Sequence, residues 1–401
     1  MREFVQLVFW LSCIFLLYVY LGYPALLLLL SRLRRAPSRE FGGSTPRVAL
    51  IVSAYNEQGV IEAKIKNCLA LDYPSGLLTI VIASDGSDDG TDEIALRYAS
   101  MGIQLVRSPQ RAGKSAVLNL ACRHASGEIF IFSDANAMYS PDAVRQLVRH
   151  FADPGVGYVV GNARYVEDPS KAAAADSEGL YWKLETWLKK KESDFGSVVG
   201  GDGAIYAIRR ELYTPLRSTD INDFLNPLQI IVRGYRGVYA PEAVCFEEAG
   251  DTFEKEFNRK VRIVSRSLNA VRRAPRVLLP WTQPRHCFAL YSHKILRWFA
   301  PCFLLFALAA NLLLWPILFY RVLALAQLGL YLLAALGWAA NRKGRAPRVL
   351  YVPYYFVLVN LAAALGVLKC LTGSLSATWS TVRQEESASP KESIQLVNRR
   401  P

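Results

Sequence analysis

Residues 4–30 carry no charged side chain. A soluble domain would have to bury that whole run, whereas roughly 20 apolar residues suffice to cross a bilayer, so a membrane helix is expected at the start. The run flows into Arg32, Arg34 and Arg35. It is too long for a secretory signal and has no small-residue cleavage site after it, so an uncleaved anchor is expected. The arginine cluster outweighs Arg2 with its neighbour Glu3, which puts the start of the chain outside and the residues after Arg32 in the cytosol. Further apolar runs at 298–320, 322–340 and 350–371 are separated by Arg321 and by the basic stretch 341–348. Arg342, Lys343, Arg345 and Arg348 belong on the cytosolic side, with one helix going out and the next returning. Counting then sends the tail outside, although Pro353 and Asn360 in the third run also permit an interfacial or re-entrant course.

The expected layout is an anchor at 1–31, a cytosolic domain at 46–280, an interfacial helix at 281–297, membrane helices at 298–372 and a polar, disordered tail at 373–401. The formal net charge of +13 does not call for nucleic acid, because many of the cations flank membrane segments, where anionic lipid attracts them. The seven cysteines include no C-x-x-C pair, so neither a disulfide framework nor a zinc site is expected.

Between about Pro46 and Pro280 short β-branched runs alternate with helical stretches, the pattern of a mostly parallel sheet covered by helices. Strands are expected at 48–54, 78–84, 103–106, 128–133, 158–161, 204–208 and 237–240. A helix is expected to start at Ser140-Pro141-Asp142. Ligands of open α/β sheets bind beyond the carboxyl ends of the strands. Three polar clusters fall there: Tyr55-Asn56-Glu57, the stretch from Asp85 to Asp92, and Asp134-Ala135-Asn136. Each alone is as well explained by a turn or a helix cap. The 85–96 stretch imitates a calcium loop but has Leu96 in place of the bidentate glutamate. Gly113-Lys114-Ser115 imitates a phosphate loop but has Ser108 where its first glycine should be.

Moving a sugar from a nucleoside diphosphate needs a pocket for the nucleobase, a cation for the diphosphate and a base for the acceptor hydroxyl. Asp85 is a candidate acceptor for a uracil imide, and the Tyr55-Asn56 turn for packing on the base. Asp134 and Asn136 can direct oxygens at Mg2+ or Mn2+. Lys114 supplies a point charge, and a helix at 251–271 carries Arg259, Lys260 and Arg262, suited equally to a departing diphosphate or a lipid surface. Asp223 serves either as a base or as an acidic residue favouring a helix N-terminus.

These motifs, in order, resemble the membrane-bound family 2 glycosyltransferases, the group that includes cellulose, chitin, hyaluronan and poly-N-acetylglucosamine synthases. The resemblance rests on Tyr23-Pro24, Tyr55-Asn56-Glu57, Asp85-Gly86-Ser87, Gly113-Lys114, Asp134-Ala135-Asn136, the 200–204 segment Gly-Gly-Asp-Gly-Ala, Asn222-Asp223, Gly234-Tyr235-Arg236 and the 259–263 segment. It implies a GT-A fold, a UDP-sugar donor contacted by Tyr55, Asn56, Glu57, Asp85 and Lys114, and a divalent metal at Asp134 and Asn136. It also implies Asp223 as base, inversion at the anomeric carbon, and an acceptor near Gly201, Asp202 and Gly203. A bacterial inner or plasma membrane is the expected location, with a polysaccharide or lipid-linked acceptor. Two positions depart from the family pattern: the usual second aspartate of the metal motif is Asn136, and the tryptophan of the Gln-x-x-Arg-Trp motif is Ile263. Polymerisation, transfer of a single sugar to a lipid, and a non-catalytic scaffold or transporter subunit are the rival readings.

Overall fold

The computed structural model describes residues 1–33, 45–166, 172–248, 253–342 and 347–375. Arg34, Arg35, Asp251, Lys343, Arg345 and the tail from 376 lie outside the described residues. In chain order the elements are α1 (Arg2–Leu17), α2 (Tyr23–Leu33), β1 (Val48–Ala54), α3 (Ile61–Leu69), β2 (Leu78–Ser84), α4 (Thr91–Arg97), β3 (Ile103–Arg107), α5 (Lys114–His124), β4 (Ile129–Asp134), β5 (Met138–Tyr139) and α6 (Ala143–Val148). They continue as β6 (Val156–Val166), α7 (Ala172–Phe195), β7 (Tyr206–Arg209), α8 (Asn222–Val232), β8 (Arg236–Glu248), α9 (Phe253–Arg273), α10 (Pro284–Ala289), α11 (Leu296–Leu313), α12 (Leu318–Arg342) and α13 (Arg348–Leu371).

The strands form one sheet in the order β3-β2-β1-β4-β7-β6-β8-β5. β3, β2, β1 and β4 are parallel neighbours, as their unbroken Val and Ile runs suggest for strands covered on both faces. Every residue of β1 is buried. Its alternate side chains enter opposite cores: Ala49 and Ile51 lie with residues of α5, α8 and α9, and Val48, Leu50 and Val52 with residues of α3 and α6. The other half of the sheet is mixed. β7 runs antiparallel to β4 and β6, β6 is parallel to β8, and β5 is antiparallel to β8. β7 enters at the carboxyl edge, directly after the 200–203 loop, and so runs back down beside β4. The helix expected from Ser140 begins at Ala143 instead, because the Ser140 hydroxyl and amide both donate to Val244 O on β8.

Among the described residues four helical segments are long and apolar enough to cross a membrane: Arg2–Leu33, Pro284–Leu313, Leu318–Arg342 and Val349–Leu371. The first joins α1 and α2 through a π-helical turn at Tyr18–Gly22, and the second joins α10 and α11 through Leu290–Ile295. Arg321, expected between two runs, lies inside α12; the break falls at 314–317, where Pro316 offers no amide donor to continue the helix.

Candidate active site

Strand register brings three turns to one level of the sheet edge. Ala54 pairs with Ser84, and Ser53 with Asp134, so the segments after β1, β2 and β4 leave the sheet side by side. The first two are tied to each other. Asn56, at φ +52°, donates from Nδ2 to Asp88 Oδ1 at 2.6 Å, and its Oδ1 accepts the Asp88 N–H at 3.0 Å. The Glu57 N–H donates to Thr91 Oγ1 at 2.9 Å, and the Glu57 carbonyl accepts from the first residues of α3. Asn56 and Glu57 therefore shape the turn.

Asp85 and Tyr55 meet the loop that precedes α5. The Asp85 carboxylate is buried and accepts N–H bonds from Ala112 at 2.8 Å and Gly113 at 2.9 Å. Burial raises its pKa, and these amides and Arg111 oppose the rise. The Arg111 guanidinium lies 4.0 Å from the centre of the Tyr55 ring, within cation–π range. Gly113, at φ +97°, turns the chain into α5 in a conformation that side chains resist, and so delivers Lys114 to the first helical position.

Lys114 forms an ion pair with Asp134 Oδ1, which also accepts from Ser53 Oγ at 3.0 Å. Beneath this turn lies Lys64, whose role sequence reasoning missed. Its fully buried ammonium donates to Ser133 Oγ at 2.9 Å and to the Ala137 carbonyl, clamping both ends of the turn that carries Asp134 and Asn136. Asn136 is partly buried on that turn. Among the described residues no group of three His, Cys, Asp or Glu side chains is placed to hold a metal unaided. Asp134 nevertheless takes a cation here, the Lys114 ammonium. Hard oxygens from Asp134 and Asn136, completed by diphosphate oxygens, suit Mg2+ or Mn2+.

Asp223 arrives from the far side of the sheet, in the first turn of α8. Asn222 and Asn226 donate from Nδ2 to the Tyr206 hydroxyl at 3.0 and 3.3 Å, pinning α8 to β7. The Gly201 N–H donates to the Asp223 carbonyl at 2.6 Å, where a Cβ on Gly201 would collide with that oxygen. Gly203 marks the convergence. A Cβ built there would lie 3.2 Å from Asp223 Oδ2, 3.6 Å from Lys114 Nζ and 3.7 Å from Asp134 Oδ2. Three residues far apart in sequence therefore face one small space that only glycine leaves open. Asp223 Oδ1 is buried with no hydrogen-bond partner among the described residues. Burial lifts the Asp223 pKa to about 6; Lys114 pulls it down, while Asp202 and Asp134 push it up.

Two more acids complete the setting. Asp202 pairs with Lys189 of α7 at 2.9 Å. Glu247, near the end of β8, is pushed up to about 8 by burial and by Asp134 and Asp202, against Arg259 and Lys114. Its place on a long strand gave no sequence signal. On α9, burial and the neighbouring Arg259 lower the Arg262 pKa, while Asp134 and Asp223 hold it up. Arg259 and Lys260 pair with Glu256 at 2.6 and 3.4 Å and lie 5.9 and 5.6 Å from the centre of the Trp182 ring. A separate surface recess around Pro46, Gly127 and Arg210 sits at the amino ends of β1 and β4, away from this chemistry.

Residues 49–215 match the model of Glycosyl transferase family 2, a stretch that runs from β1 past β7 and takes in Asp85, Lys114, Asp134 and the 200–203 loop. That stretch therefore reads as a family 2 glycosyltransferase domain, and apolar helices of membrane-spanning length flank it. Among curated proteins it is similar to poly-beta-1,6-N-acetyl-D-glucosamine synthase of Staphylococcus aureus, 26% identical over 221 residues, covering 54% of this chain and 53% of that protein. It is also similar to beta-monoglucosyldiacylglycerol synthase of a Nostoc species, 30% identical over 219 residues, covering 52% of this chain and 45% of that protein. The chain thus spans about half the length of the curated relatives it matches. Among solved structures, a mannosyltransferase from Pyrobaculum calidifontis, in complex with GDP-mannose and Mn2+, superposes with a TM-score of 0.69 at 24% identity. That match covers 92% of this chain and 99% of the other, and it shows a shared GT-A fold.

Proposed function

We propose that this protein transfers a sugar from a UDP-sugar to the hydroxyl of a polysaccharide or lipid-linked acceptor at the membrane, by a single inverting displacement with Asp223 as base. The observation that carries this reading is the convergence of Asp223, Lys114 and Asp134 over Gly203. Asp223 Oδ2 faces the space beside Gly203, where the acceptor hydroxyl is placed, and a pKa of about 6 keeps the carboxylate ionised near neutrality. The acceptor hydroxyl passes its proton to Asp223 as its oxygen attacks the anomeric carbon, and the bond from that carbon to the diphosphate oxygen breaks. One carboxylate suffices for this reaction, so no covalent sugar–protein intermediate forms. Tyr55, Asn56, Glu57 and Asp85 shape the donor side, and Gly201, Asp202 and Gly203 the acceptor side.

A divalent ion, Mg2+ or Mn2+, held by Asp134 and Asn136, would neutralise the leaving diphosphate. Lys114 and Arg262 add fixed positive charge at the same place, and Arg259 and Lys260 extend it along α9. The test incubates the purified chain with a panel of labelled UDP- and GDP-sugars and membrane lipids, then sizes the products. Transfer is expected from a UDP-sugar, with Asp223→Asn lowering the rate by roughly 10²-fold or more while UDP binding persists. Normal turnover by Asp223→Asn would remove the base assignment, and no transfer by the unaltered chain would favour the scaffold reading.

A further inference from the structure

Hydropathy alone makes α13 a fourth crossing of the membrane, but its neighbour in the fold is a charged helix. Phe253 stacks on Tyr351 with ring centres 5.6 Å apart and packs on Tyr354 at 4.7 Å. The Tyr355 hydroxyl donates to Glu256 Oε1 at 3.5 Å. A Cβ on Gly366 would lie 2.7 Å from Val264 Cβ and 3.0 Å from the Val261 carbonyl oxygen. Arg272 donates to the Cys370 carbonyl at 3.4 Å. The contacts advance together from 253 against 351 to 272 against 370, so α9 and α13 lie side by side, pointing the same way, for about 28 Å.

That length is close to the whole hydrocarbon thickness, roughly 30 Å. If α13 stood upright in the bilayer, α9 would stand in it as well, with Glu254, Lys255, Glu256, Arg259, Lys260, Arg262, Arg266, Arg272 and Arg273. Charges near mid-depth are strongly disfavoured even on insertion-based scales. α9 is also tied to the sheet: Arg273 pairs with Asp220, and Val264, Ala270 and Val271 share a core with residues of β1 and α8.

The other contacts of α13 agree. The Tyr20 hydroxyl donates to Asn360 Oδ1 at 3.0 Å, three residues before Tyr23, whose own hydroxyl bonds Glu192 of α7 at 2.9 Å. Ala363 and Val367 share a core with Trp298, in the first turn of α11, and with Val264 of α9. Near its start α13 touches Gly337, close to the end of α12. Tyr20, Trp298 and Gly337 each lie in the part of their helix nearest the catalytic domain.

We infer that α13 lies in the plane of the membrane, along the interface on the catalytic side. Three segments cross the bilayer, and the chain beyond Leu371 stays on the side of the sheet. α13 separates α9 from the lipid, and Leu361, Leu368 and Leu371, exposed on its distal half, enter the acyl boundary. Arg259 and Lys260, paired with Glu256, and Arg273, paired with Asp220, are then held by partners within the protein and not at the lipid surface.

Two measurements on the full chain test this without any reference to catalysis. A C-terminal epitope tag should be digested by protease in inverted membrane vesicles together with the catalytic domain, and both should be protected in intact spheroplasts. Digestion of the tag in spheroplasts while the catalytic domain survives would overturn the inference. Spin labels on Leu361→Cys, Leu368→Cys and Leu371→Cys, with the exposed Cys302 replaced by Ser, should report similar depths in lipid nanodiscs. A depth gradient of about 1.5 Å per residue between them would mean that α13 stands upright.

Discussion

Replacing Asp223 by asparagine should make the folded protein more stable at pH 8 while removing its activity. The carboxyl's pKa rises from 3.8 to about 6 on folding, with burial as the first cause. A shift of roughly two units, at 1.36 kcal/mol per unit, corresponds to about 3 kcal/mol. Below about pH 4 the group is protonated in both folded and unfolded chains, so the cost vanishes. Between pH 4 and 6 the unfolded chain ionises while the folded chain does not, and the cost grows; above about pH 6 it is complete. An amide of nearly the same shape carries no such penalty, so Asp223→Asn should gain on the order of 1–3 kcal/mol at pH 8, a melting shift of several degrees. Near pH 4 it should gain little. The assay is thermal unfolding in detergent at the two pH values, with the unaltered chain alongside. An asparagine variant that is no more stable at pH 8, or that gains equally at pH 4, would refute the reasoning that this carboxylate is held charged against its surroundings.

The rate of transfer should rise with pH to a midpoint near 6 and then level off, lying about tenfold below the plateau at pH 5; a flat profile over that range would exclude Asp223 as base. Lys114→Met should move that midpoint upward, because the Lys114 ammonium lowers the Asp223 pKa, and an unmoved midpoint would separate the two residues functionally. Gly203→Ala, whose Cβ would push Asp223 Oδ2 by a few tenths of an ångström, should lower kcat through misplacement of the reacting groups, with little change in melting temperature. Gly59→Ala, where a Cβ meets nothing within 4 Å, is the control.

Much of this was legible in the sequence, for identifiable reasons. The edges of β1 and β2 fell where the β-branched runs at 48–54 and 78–84 end, because strands covered on both faces must be apolar throughout. The acidic clusters stood out because they interrupt such runs. The direction of β7 was not legible, since hydropathy does not encode whether a strand returns or crosses over. Lys64 reads as an ordinary helix-surface lysine, and only the fold shows it buried under the 133–137 turn. Glu247 lies on a strand whose register determines its neighbours, and Asp85 could not be seen from its motif to spend its carboxylate on Ala112 and Gly113. The packing of α9 on α13 joins segments about a hundred residues apart and leaves no local trace beyond the small residues, Gly366 among them, that permit it.

The stereochemistry of the product tests the central claim most directly. With an α-linked UDP-sugar as donor, nuclear magnetic resonance of the isolated product should show a β linkage, as one displacement assisted by Asp223 requires. An α-linked product would demand a second displacement or a different course altogether, and would contradict a single displacement at this site.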